Sequence, residues 1–182
     1  MTSGSRTGWY SALFGSILAA VILLGFASMN SHAQVGLQEI APPPLKILSK
    51  DELAQLGAIT DVKKRTSTAL ELMSLRLTQA ETLIEREDLD QMYKELGSFH
   101  GLMDNTLAFL NGNAKNSNRV LNNFKRYEMG LRQFRPRLEM IRRSVPLMYE
   151  PYVNNLIGYL RDARAKAVEP LFGDSVVPRT RP

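Results

Sequence analysis

Three groups of side chains in this 182-residue chain are of types that do chemistry. The first is His100 with Met92 and Met103. Imidazole and thioether suit a soft metal or a haem iron. A di-iron helical site would need Glu-x-x-His, but Gly97 stands three residues before His100. Met92 and Met103 fall on an apolar stripe, where methionine serves as core filler. Metal or haem binding through His100 is therefore the alternative reading, and no cofactor is expected. The second group is Glu85, Glu87, Asp88 and Asp90. Paired carboxylates can act as acid and base. These four lie on a tight, solvated turn, where they serve as caps and corners. There is no cysteine and no Gly-x-Ser-x-Gly elbow, so a nucleophilic enzyme lacks its parts. The expectation is a non-enzyme.

The third group is basic and aromatic. Arg132, Arg135, Arg137, Arg142 and Arg143 follow Lys125 and Arg126; Arg161, Arg164 and Lys166 come later. Tyr149, Tyr152 and Tyr159 gather around Pro151. Guanidinium groups grip carboxylate and phosphate in a forked geometry. Tyrosine beside arginine is a composition typical of binding hot spots. The candidate binding set is Arg132, Arg135, Arg142, Arg143, Tyr149, Tyr152 and Arg161. The competing reading pairs the arginines with Glu128, Glu139, Glu150 and the acidic first half, and uses the tyrosines to close one end of the fold. Residues 50–111 carry seven Lys/Arg against eleven Asp/Glu; residues 112–182 carry fourteen against six. Two such halves can attract each other, or the basic one can meet an anionic partner.

The elements that hold these groups are helices. Ser49-Lys50-Asp51-Glu52 is a capping box. It opens a helix over about 50–86 with the stripe Leu53, Leu56, Ile59, Val62, Thr66, Leu70, Met73, Leu77, Ala80 and Ile84. Gly57 is its weak point. A second helix starts near Asp88, carries Leu89, Met92, Leu96, Phe99, Met103, Thr106 and Leu110, and stops at Asn111-Gly112-Asn113. A third, capped by Asn116 or Ser117, has the most regular stripe: Val120, Phe124, Tyr127, Leu131, Phe134, Leu138, Ile141 and Val145. That seven-residue repeat implies near-parallel or antiparallel packing. Pro136 should kink it without stopping it. A fourth starts at Pro151 with Tyr152, Val153, Leu156, Leu160, Ala163 and Ala167 inward, and ends at Pro170.

Short connections make successive helices antiparallel neighbours. The expected fold is an all-α, antiparallel four-helix bundle of two hairpins over 49–172, acidic hairpin facing basic hairpin. The first helix, about 55 Å long, would overhang the fourth, about 27 Å. Its end would be exposed, or folded back at Gly57. Such stripes would suit a homodimer as well as a monomer.

Upstream, Arg6, the apolar run from Trp9 to Phe26 and Ser31-His32-Ala33 have the order of a secretory signal peptide over 1–33. An uncleaved anchor through 9–29 is the competing reading, since about 20 apolar residues span a bilayer. Residues 34–48, with Pro42-Pro43-Pro44, read as an extended linker, and 173–182 as a disordered tail. Export argues against nucleic acid as the partner of the basic half. The available polyanions are lipid head groups, other anionic envelope components or an acidic envelope protein.

The stretch Phe134-Arg135-Pro136-Arg137-Leu138-Glu139, Tyr149-Glu150-Pro151-Tyr152 and Glu169-Pro170-Leu171-Phe172 resembles uncharacterised exported helical proteins of acidobacterial type. The resemblance covers about 40 residues, implies a bacterial cell envelope and supplies no activity. Periplasmic chaperones of the Spy type carry Leu-Thr-x-x-Gln; this chain has Leu77-Thr78-Gln79-Ala80-Glu81 and lacks that motif. The expectation is an exported, periplasmic or inner-membrane-facing interaction or scaffold module.

Overall fold

The computed structural model describes residues 40–113 and 118–172. The leader 1–33, the start of the linker at 34–39, the caps Asn116 and Ser117, and the tail 173–182 lie outside the described residues. The described chain is all-α: α1 (Lys50–Gly57), α2 (Val62–Glu85), α3 (Leu89–Gly112), α4 (Asn118–Ser144) and α5 (Glu150–Val168), followed by a 3-10 turn at Glu169–Leu171. The third and fourth helices of the sequence reading are α4 and α5.

The expected first helix is two helices. The capping box opens α1 as predicted: the Ser49 hydroxyl accepts from the Glu52 N–H at 3.1 Å, and the Glu52 carboxylate accepts from the Ser49 N–H at 2.8 Å. The chain then leaves the helix after Gly57, and Asp61 caps α2 by accepting from the Lys64 N–H at 2.7 Å. In a continuous helix Glu52 would stand about 36 Å from Arg76. Here its carboxylate accepts from Arg76 Nε at 2.9 Å. Of the two outcomes expected for the long first helix, folding back is the one observed.

α2 and α3 form one hairpin, joined through Glu87 at φ 60°. Asp88 caps α3 by accepting from the Gln91 N–H at 3.3 Å. α4 and α5 form the other, and α4 runs through Pro136 without an end. Pro136 is exposed, so its ring faces solvent. The hairpins meet with like helices together. Gly130 of α4 receives Leu70 of α2 so closely that a Cβ there would lie 2.6 Å from both Leu70 methyl carbons. Further along, Arg137 reaches Ser74, Thr78 and Glu81. α2 and α4 therefore run in the same direction, as do α3 and α5, where Tyr93 meets Tyr149 and His100 meets Tyr159. α3 and α4, expected as antiparallel neighbours, touch only slightly. They lie across the core from one another, because the hairpins dock through α2–α4 and α3–α5.

The core is the predicted stripes. Met73 and Leu77 of α2, Leu96 and Phe99 of α3, Phe124 and Leu131 of α4, and Leu156 of α5 are fully buried. Leu53, predicted inward, is half exposed, since the fold-back turns its face of α1 outward.

Residues 40–48, expected as a linker, have no regular secondary structure and are laid against α3. The Ala41 N–H donates to the Met148 carbonyl at 3.0 Å, and the Tyr93 hydroxyl donates to the Ala41 carbonyl at 3.4 Å. The segment crosses α3 at two glycines. A Cβ on Gly97 would run into the Leu45 carbonyl oxygen, and one on Gly101 would meet the Lys46 carbonyl oxygen at 3.1 Å. Glycine is needed there for close backbone approach. Among the described residues no helix is long and apolar enough to cross a membrane.

Candidate functional site

Two helices of the basic half of the sequence line a groove. It lies between α4 and α5, encloses about 520 Å³ and is lined by Arg135, Arg161 and Arg164 with Glu139 and Asp162. Asn154 and Asn155 of the first turns of α5 contribute amides, and Gly158 leaves open space where a side chain would project. The regular spacing of α4 explains the placement of its arginine. Leu131, Phe134 and Leu138 are held inward, which directs Arg135 outward toward α5.

The arginines are not equivalent. Arg135 is exposed and makes no ion pair among the described residues. Arg161 is 77% exposed in its side chain and rests on its neighbour Asp162 at 3.2 Å. An exposed pair of this kind contributes little and exchanges readily. Arg164 is fixed: its Nε and Nη2 both donate to Glu128, at 3.0 and 2.8 Å. Arg132 donates to the same carboxylate from one turn away, at 3.0 Å. Burial alone would push the Glu128 carboxyl up; the hydrogen bonds from Arg164 and Arg132 outweigh it and hold the group below the usual carboxylate range.

The predicted binding residues thus divide. Arg135 and Arg161 share the groove. Arg132 lies outside it, tied to Glu128. Arg142 bridges Glu139 at 3.2 Å and also binds Glu150, so it staples α4 to the start of α5. Arg143 is exposed and outside the groove. Tyr149 and Tyr152 are buried. They close one end of the helices, as the competing reading had it. Tyr149 donates to Asp90 at 3.1 Å, and both rings stand edge-on to Tyr93 at 4.9 and 5.1 Å. Arg137, left out of the predicted set, is the charge link between the acidic and basic hairpins, bidentate to Glu81 at 2.8 and 2.7 Å. The amides of Asn154 and Asn155 were missed, because two uncharged polar residues on an outer helix face give no distinctive sequence signal.

His100 is buried in a second polar cluster. Its Nδ1 is 3.3 Å from the Tyr152 hydroxyl, and its Nε2 is 3.7 Å from Asp104. Its ring lies 4.7 Å from that of Tyr159. Lys46, from the packed segment, binds Asp104 at 2.8 Å and stands over the Tyr159 ring. With Nε2 protonated toward Asp104, Tyr152 donates to Nδ1, and the longer Asp104 contact is electrostatic rather than a hydrogen bond. Met92 and Met103 are core residues. No group of three or more His, Cys, Asp or Glu side chains among the described residues could hold a metal ion.

Burial lowers the His100 pKa from its ordinary 6.5; Asp104 opposes this and Lys46 adds to it. A base whose pKa is lowered on folding takes up its proton more readily in the unfolded chain. Its stabilising contribution is complete above the unfolded value and is lost as pH falls through the folded one. Stability should therefore decline as the solution is acidified below about pH 6.5. Urea unfolding of the parent and of His100→Phe across pH 5 to 7.5 checks this. The expected result is a smaller pH slope in the variant; equal slopes would show that His100 titrates alike in both states.

The chain matches no protein-family model, no curated protein and no solved structure.

Proposed function

We propose that this chain is a non-enzymatic, exported protein of the bacterial cell envelope. It is an all-α protein of two packed helical hairpins whose α4–α5 groove binds a carboxylate or phosphate presented by an envelope partner. The observation that carries this reading is the convergence of Arg135, free of any ion pair among the described residues, and the exposed Arg161 on one groove with two asparagine amides. A forked guanidinium with neighbouring amides matches the planar or tetrahedral oxygens of such a group. The leader, the absence of cysteine and the basic second half support the location. The buried, internally bonded state of His100 gives the metal- or haem-binding alternative no support of its own.

The direct test replaces Arg135 and Arg161 with Ala together. Neither side chain is part of the core, so the fold should persist. Retention on anionic liposomes, and on envelope extracts immobilised as bait, should fall by about tenfold and lose part of its salt dependence. Unchanged retention on both, at two salt concentrations, would remove the groove from consideration. Arg142→Ala serves as the contrast, since its guanidinium is already engaged by Glu139 and Glu150.

A further inference from the structure

The segment 40–57 behaves as an arm laid back on the body of the protein. It comprises the stretch 40–49 over α3 and the short helix α1. Its attachments are discrete: Ala41 to Met148 and Tyr93, Lys46 to Asp104, Glu52 to Arg76, and the buried Leu56. The hinge that folds it back, Ala58–Asp61, is held lightly. Gly57, Ala58, Thr60 and Asp61 are exposed, and a Cβ at Gly57 would touch nothing within 4 Å.

The sequence across that hinge is helical in pattern. Leu53, Leu56, Ile59, Val62 and Thr66 continue one stripe through it with steps of three and four. The same residues can therefore form a bend or a continuous helix from Lys50 to Glu85, about 54 Å long. In the continuous form Glu52 stands about 36 Å from its own Arg76, and the arm cannot reach its own body. The seat on α3 between Tyr93 and Asp104 is then empty in each chain. The segment that fits it is known, because it occupies that seat in the folded-back form.

We propose that two copies of this chain exchange their 40–57 arms, each arm occupying the α3 seat of the partner, to give a closed two-fold dimer. Reciprocal exchange preserves every arm contact and adds new surface between the straightened helices. The arm also carries one apolar side chain near the hinge that the folded-back form leaves half in solvent, Leu53 at 50% exposure. Leu53 lies on the stripe of the straightened helix, where the second copy's helix would cover it. The proposal is independent of the anion-binding groove, which lies between α4 and α5.

The Lys46–Asp104 ion pair supplies the test. Both side chains are about half exposed, so removing either leaves the fold intact. The Lys46→Gln chain and the Asp104→Asn chain are purified separately, mixed at high concentration and treated with a carbodiimide, which joins an ammonium to a carboxylate in contact. Neither chain can form the 46–104 amide within itself. The expected product is a covalent dimer whose linked peptide maps to Lys46 of one chain and Asp104 of the other. Gly57→Ala with Asp61→Ala, placed in both chains, favours the continuous helix by removing a helix-weakening glycine and the cap of α2. It should raise dimer formation at least about tenfold. Thr60→Pro, which in the continuous helix would remove a backbone donor and crowd the Leu56 carbonyl, should lower dimer formation at least about tenfold. Light scattering that finds only monomer for the parent hinge and the Gly57→Ala/Asp61→Ala hinge overturns the proposal. So does a dimer in which the 46–104 linkage never forms.

Discussion

Replacing Phe99 with Ala is expected to lower the unfolding free energy by about 3–5 kcal/mol, a large share of the roughly 5–15 kcal/mol that a domain possesses. Phe99 is fully buried on α3 and stands edge-on to Phe134 of α4, with ring centroids 5.5 Å apart and planes at 85°. These two helices face each other across the core and make little backbone contact. The rings bridge that gap. Removing one leaves a void that the surrounding helices cannot close, because α2 and α5 are already fixed by the hairpin connections and by Arg137. Urea midpoints at pH 7 give the number. Phe99→Leu, which keeps most of the volume, should cost less than about 2 kcal/mol. A loss below about 1 kcal/mol for the Ala variant would show that the centre of the fold lies elsewhere.

A second large effect is expected at Gly97. In an exposed helix interior a change from glycine to a better helix former gains up to about 1 kcal/mol. Here the new Cβ meets the Leu45 carbonyl oxygen and lies 3.1 Å from Pro44 Cβ. Backbone cannot move aside as a flexible side chain can, so the clash outweighs the propensity gain. Gly97→Leu should destabilise by about 1–3 kcal/mol, as overpacking does. It should also lift residues 40–49 off α3, breaking the Ala41–Met148 and Tyr93–Ala41 hydrogen bonds. Limited proteolysis is the sensitive readout: cleavage within 40–49 should quicken while α2 to α5 remain resistant. A Gly97→Leu protein that is more stable, with the segment still protected, would contradict the close approach.

These two positions mark how far the sequence can be read. Phe99 and Phe134 were legible as buried residues, since each sits on a stripe of three-and-four spacing, and burial follows from the period alone. Gly97 was legible only as a residue that spoils a Glu-x-x-His pair. Its reason, another stretch of backbone passing over it, is 52 residues away in sequence at Leu45. No local pattern reports a crossing of that kind. The same limit applies to the binding set. The outward placement of Arg135 and Arg161 was legible because charged side chains fall opposite the apolar stripe of a helix. The inward turn of Tyr149 and Tyr152 was decided by Tyr93, which sits on a different hairpin.

By itself the sequence determined the helical class, the start of α1 at the Ser49 capping box, the cap at Asp88, the first turn of α5 at Pro151 and nearly all of the core stripes. Each depends on interactions within a few residues, or on a period that one helix repeats. Tertiary structure alone decided the rest. The apolar stripe through Gly57 favours one long helix, yet the Arg76 guanidinium, Leu56 burial and the glycine seat on α3 draw the arm back and break it. Short connections favour α3 beside α4, yet the Gly130 notch for Leu70 and the Arg137–Glu81 clamp bring α2 beside α4. In both cases contacts between residues far apart in the chain outweigh a local preference of a few kcal/mol or less. That balance is also why the hinge at residues 58–61 is where this chain can change its mind.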